Sequence, residues 1–153
     1  MVSSTSSVPF YTPIAQTDTS FYIGKFIREL ESGDVDAFLT RLRCFFAGIP
    51  LRPERPHGAG IYQTVFYLVF QLMGQFTETE VRSARGRADA VVKTPDYIYV
   101  FEFKLNDSAE AALRQIDEKG YLLSYQADGR KVVKVGVAFE KEERNIGEWM
   151  IGG

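Results

Sequence analysis

From Tyr97 to Lys104 the sequence alternates without a break. Tyr97, Tyr99, Phe101 and Phe103 fall on one side of an extended chain, and Ile98, Val100, Glu102 and Lys104 on the other. Successive side chains of a strand point to opposite faces of its sheet, so this segment is a strand with one aromatic face and one aliphatic face that ends in two charges. Glu102 and Lys104 share that second face about 6.6 Å apart, two residue rises along the strand. Where a helix covers such a face, charges are costly unless they are paired or bound to a metal. Glu102 therefore needs a partner.

The segment Arg87–Lys93 supplies one. It is β-branched and apolar around Asp89, a carboxylate set between Ala88 and Ala90, and Thr94-Pro95-Asp96 behind it has the composition of a turn. When the two strands pair about that turn, the midpoint of Asp89 and Glu102 falls between Pro95 and Asp96, which makes them near-opposite cross-strand neighbours. Two carboxylates side by side repel, and a hard divalent cation relieves the repulsion. A donor set of oxygens, with neither His nor Cys, favours Mg2+ or Mn2+ over zinc. The ammonium of Lys104 can orient or deprotonate an attacking water, or neutralise charge building on a phosphoryl oxygen. The reaction class this suggests is metal-assisted phosphodiester hydrolysis. A Glu-x-Lys pair alone is an ordinary surface ion pair; its conjunction with Asp89 on the adjoining strand, in the element order that follows, is what points to a site.

Phe21 to Leu30 carries apolar residues at helical spacing (Phe21, Ile23, Phe26, Ile27, Leu30), and Gly33 ends that helix. Asp34 offers an N-cap for a second helix, lined by Val35, Phe38, Leu39, Leu42, Phe45 and Phe46, so residues 20–48 form a helical hairpin. Cys44 falls in that segment as a small core residue. Ile49–Gly60, rich in Pro and Gly, is a loop. Ile61–Gly74 is a third helix, apolar nearly all round and hence buried. Thr77–Arg82 alternates as a strand, followed by Arg87–Lys93 and Tyr97–Lys104. The next helix begins at Asp107 with Glu110 completing a capping box and closes at Gly120. Lys131–Phe139 is the last strand, joined to Tyr97–Lys104 by a crossover that makes the two parallel. Lys141–Asn145 reads as a solvated charged turn, with Trp149 holding the C-terminal end. The fold class is α/β: helix-strand-strand-strand-helix-strand, a mixed sheet flanked by helices. Residues 20–153 make one domain with its core over 60–140, and the Ser/Thr/Pro-rich residues 1–19 make a flexible lead.

The totals set bounds. The chain has 153 residues, 45% of them hydrophobic, which fills one core. A net charge of −2 argues against a protein that coats nucleic acid by bulk electrostatics, so phosphate contacts must come from local clusters. Two are candidates: Arg82, Arg85 and Arg87 just before Asp89, and Arg52 and Arg55 in the Pro-rich loop. A single cysteine and a single histidine leave no internal disulfide, no cysteine-ligated zinc and no ready Cys-His pair. No signal peptide and no membrane span are read in the sequence, so the expected location is cytoplasmic.

The order of elements with Asp89, Glu102 and Lys104 resembles the PD-(D/E)XK nuclease superfamily, whose restriction-endonuclease-like core has this arrangement. The resemblance implies that Asp89 and Glu102 bind Mg2+ (or Mn2+) and that Lys104 is catalytic. Gly86-Arg87-Ala88-Asp89, Tyr99-Val100-Phe101-Glu102-Phe103-Lys104 and the stretch from Ala112 through Gln115 to Tyr121 look like one bacterial branch, usually found C-terminal to an AAA-ATPase-like domain. It implies a helical glutamine, here Gln115, set to hydrogen-bond a scissile phosphate or Lys104. It also implies nucleic acid, DNA before RNA, as partner. One departure stands out. The family commonly carries a Glu just ahead of the Tyr-Gln pair seen as Tyr62-Gln63, whereas this chain reads His57-Gly58-Ala59-Gly60-Ile61. Glu54 substitutes only if its loop folds back, and Glu80 is the other candidate for a third carboxylate. The alternative function is a catalytically inactive module of the same fold that binds nucleic acid or a partner protein; the aromatic hairpin could also support a homodimer.

Overall fold

The structure, a computed structural model, describes residues 16–48, 58–84, 87–105, 107–140 and 145–152. Helix α1 (Gln16–Glu31) and helix α2 (Val35–Ala47) form the expected hairpin. Asp34 caps α2, its carboxylate accepting from the Ala37 N–H at 3.1 Å. Between them Gly33 has φ +86°, and a β-carbon there would lie 2.6 Å from the Tyr97 hydroxyl, so the turn requires glycine on both counts. α1 begins ahead of the predicted Phe21; residues 1–15 of the expected lead lie outside the described residues.

Helix α3 (Gly58–Met73) leads into strands β1 (Glu78–Ala84), β2 (Arg87–Lys93) and β3 (Tyr97–Leu105), an antiparallel meander. Thr94 makes the β2–β3 turn: its N–H donates to the Tyr97 carbonyl at 2.8 Å, and its hydroxyl accepts from the Tyr97 N–H at 3.0 Å. Helix α4 (Ala109–Glu118) and a short helix α5 (Tyr121–Tyr125) carry the chain to β4 (Lys131–Glu140), parallel to β3 as expected, and β5 (Asn145–Gly152) closes the sheet order β1-β2-β3-β4-β5. This mixed sheet with helices on both faces is the predicted restriction-endonuclease-like architecture.

The aromatic face of β3 is the floor of the main core. Tyr97, Tyr99, Phe101 and Phe103 run along it with successive ring centroids 5.7, 6.0 and 6.3 Å apart. Phe38 of α2 and Phe70 of α3 pack onto Phe101 at 5.4 and 5.5 Å. The opposite face holds a smaller cluster of Val91, Ile98, Val100 and Ile116 under α4.

The buried Tyr99 hydroxyl donates to the Leu30 carbonyl at 2.6 Å, and burial pushes its pKa far above the ordinary value. Tyr99→Phe should cost about 1 kcal/mol in urea unfolding. The loss stays that small because the Gly33 N–H still donates to the same carbonyl at 3.2 Å.

The structure corrects several readings. Cys44 is exposed, as are Phe21, Tyr67 and Leu68: in each helix the periodic stripe is real but narrower than the run of apolar residues suggests. The N-cap of α4 is Ser108, whose hydroxyl accepts from the Ala111 N–H at 3.0 Å, while Asp107 accepts from the Ser108 N–H at 2.8 Å. Serine fits the cap and aspartate steps back one place. Asn145 opens β5 instead of ending a turn; residues 141–144 lie outside the described residues. The strand was masked by a bulge, because Ala138 pairs with Glu148 and Phe139 with Ile146, which leaves Gly147 over and breaks the alternation. Trp149 does tie this end down: its indole N–H donates to Asp36 at 2.9 Å and the Arg43 guanidinium lies 5.1 Å from its ring centroid.

Candidate active site

The register of β2 and β3 sets Asp89 directly opposite Glu102. Both side chains belong to the face under α4, the face of Val91 and Val100. Glu102 is fully buried and Asp89 nearly so, at 0% and 9% exposure. What buries them is the close approach of α4. Ala109, Ala112 and Ile116 form its buried stripe. Gly136, the β4 residue in register with Glu102, makes room for the helix backbone: a β-carbon there would collide with the Ala109 carbonyl and lie 2.6 Å from the Leu113 nitrogen. Glu148 of β5 accepts from the Ala109 N–H at 3.2 Å and ties the start of α4 to the sheet edge.

At the other end of α4 stands the group the sequence did not single out. Lys119, its C-cap, donates from Nζ to Asp89 Oδ2 at 2.8 Å, to Glu102 Oε1 at 3.1 Å and to Glu102 Oε2 at 3.4 Å. Burial pulls the pKa of this ammonium down, but hydrogen bonds and charge from both carboxylates outweigh it, and the net shift is upward. A lysine raised in the folded state contributes stability at every pH below its unfolded pKa and loses it only as the pH climbs through the folded value. The triad is therefore fully charged on lysine's side at neutral pH. A signal for it exists in the sequence: Lys119 continues the buried stripe Ala112, Ile116 one turn further.

The other expected residues take these positions. Lys104 is two residues along the face from Glu102, with Nζ 3.7 Å from Asp107. Arg82 is the register partner of Asp89 across β1–β2, which puts it on the carboxylate face, where it is exposed; Arg87 is the register partner of Lys104. Glu80 pairs with Val91 one step away and is exposed. Gln115 is half-buried on α4, one turn before Lys119. Arg85, Arg52, Arg55, Glu54 and His57 lie outside the described residues. Among the described residues no cluster of three or more His, Cys, Asp or Glu gathers to hold a metal.

A family profile described as the PD-(D/E)XK nuclease superfamily matches residues 58–149. The chain belongs to that superfamily. A relative named "Uncharacterized protein in vnfD 5'region", from Azotobacter chroococcum mcd 1, is 32% identical over 123 residues. That match covers 76% of this chain and 24% of the relative, so the chain spans about a quarter of that protein's length. As a PD-(D/E)XK protein the chain carries a nuclease-like domain, and nucleases of this superfamily generally act on nucleic acid with divalent metal ions. The carboxylates of this PD-(D/E)XK core fit such an ion by their own geometry. Asp89 and Glu102 already converge on one positive charge, offer oxygens only, and leave a coordination shell that magnesium commonly completes with water.

Proposed function

We propose that the chain is a metal-dependent nuclease that hydrolyses phosphodiester bonds, with DNA as its substrate ahead of RNA. The observation that carries the reading is the pairing of Asp89 with Glu102, buried on one face and closing on a single cation. Their oxygens would hold Mg2+ or Mn2+, which when bound supplies Lewis acidity toward the phosphoryl oxygen and a lowered pKa for a coordinated water. Lys104 orients the attacking water or neutralises the oxygen charge that develops, Gln115 hydrogen-bonds the scissile phosphate, and Arg82, Arg85 and Arg87 hold the flanking backbone. Glu80 serves as an outer carboxylate of the metal site.

The test separates binding from chemistry. In isothermal titration the protein binds Mn2+, and Lys104→Ala binds it as well as wild type while its cleavage of a DNA duplex falls on the order of a hundredfold or more, the range for loss of a positioned acid–base group. A Lys104→Ala protein that cuts normally removes Lys104 from the mechanism. Absence of any heat with wild type, Mg2+ or Mn2+ replaces the enzyme by an inactive nucleic-acid-binding or partner-binding module. A specific observation favours that second reading: an ammonium already fills the space between the carboxylates.

The setting we propose is a cytoplasmic bacterial protein whose residues 20–153 form one domain, in relatives joined to an AAA-ATPase-like part. Among the described residues no helix is long and apolar enough to cross a membrane. A homodimer is supported by the exposed Phe76 and an apolar cleft of about 490 Å³ lined by Ile23, Ile27 and Leu72 between α1 and α3.

A further inference from the structure

We infer that Lys119 is an exchangeable counter-ion of the metal site: without metal its ammonium holds Asp89 and Glu102 together, and a divalent cation enters by displacing it. The inference rests on the metal-binding reading of that pair and adds to it a residue and a sequence of events.

Three observations carry it. The first is position. Nζ lies 2.8 Å from Asp89 and 3.1 Å from Glu102, residues in direct register across the two strands. A magnesium ion ligates carboxylate oxygen at about 2.0–2.1 Å, so ion and ammonium draw on the same lone pairs and repel each other at that range. The two occupants exclude one another.

The second is charge. One ammonium shared between two carboxylates brings a single positive charge to the pair, where a divalent ion brings two. The lysine is strong enough to keep the carboxylates from flying apart, yet it does not satisfy them as a divalent ion does. This explains how a buried acidic pair stays assembled before metal arrives.

The third is freedom to leave. Lys119 is the last residue of α4's capping arrangement, not an interior residue, and Gly120 follows it in the left-handed conformation at φ +71°. Its side chain is 19% exposed, so part of it already reaches the surface. An unbranched four-carbon stem can carry the head outward by bond rotations while α4 keeps its backbone hydrogen bonds. The buried stripe of Ala109, Ala112 and Ile116 still covers the carboxylates after the lysine has swung away.

The experiment compares wild type with Lys119→Met, which keeps the stem and removes the charge, by isothermal titration with Mn2+ and by thermal melting with and without the ion. The variant should bind Mn2+ more tightly, on the order of tenfold, as expected when a charge-assisted hydrogen bond no longer competes. Its metal-free melting temperature should fall, and saturating Mn2+ should restore it. Wild type provides a second measure that does not depend on the variant folding. Acylation of Lys119, followed by mass spectrometry against the other lysines, should speed up when Mn2+ saturates the site. Equal or weaker binding by Lys119→Met, or Lys119 labelling unchanged or slowed by Mn2+, overturns the exchange and leaves the metal site standing. No Mn2+ binding by either protein overturns both.

Discussion

Glu102→Gln should give a folded protein that no longer cuts nucleic acid. Loss of several kcal/mol of charge stabilisation from an unheld metal corresponds to a fall in cleavage on the order of a thousandfold or more. Stability should stay within about 1 kcal/mol of wild type. Removing one partner of a buried ion pair usually costs about 3–5 kcal/mol, because it strands the other charge. Here the ammonium is not stranded: Lys119 keeps Asp89 at 2.8 Å. Chemical denaturation and a plasmid-cleavage assay on the same preparation decide it. A variant that unfolds would mean that Glu102 is chiefly structural; one that cleaves normally would remove it from the active site.

That cluster also shows what a sequence does and does not disclose. The hairpin of β2 and β3 could be laid out from the chain alone, because period-two alternation is local and the Thr94-Pro95-Asp96 turn sets the register by counting. Asp89 opposite Glu102 followed directly. Lys119 lies 30 residues from Asp89, and its approach depends on where α4 lands on the sheet, which no count along the chain supplies. The Lys104 ammonium shows the reverse: alternation fixes its face, but its long stem lets it reach Asp107 on the following turn. β5 escaped because its bulge at Gly147 breaks the two-residue rhythm by which strands are read. Exposure of Leu68 and Tyr67 on α3 has a related cause: a helix apolar all round gives no periodic contrast, so its outward side cannot be told from its buried side.

The largest loss of stability should come from Gly136→Ala, at about 3 kcal/mol in urea unfolding. The obstacle is backbone, not a side chain that can rotate away. The added methyl would collide with the Ala109 carbonyl, lie 2.6 Å from the Leu113 nitrogen and 3.1 Å from its α-carbon, so α4 must lift from β4 as a body. Lifting α4 uncovers Glu102, the register partner of Gly136, and withdraws Lys119 from both carboxylates. The substitution should therefore weaken Mn2+ binding together with the fold, although residue 136 touches no metal itself. Gly24→Ala is the matching control. A β-carbon there meets nothing within 4 Å, and the residue lies inside α1, so the change should stabilise by about 0.5–1 kcal/mol. If Gly136→Ala proves as benign as Gly24→Ala, α4 does not press on β4, and the close cover that keeps Asp89 and Glu102 out of water has to come from elsewhere.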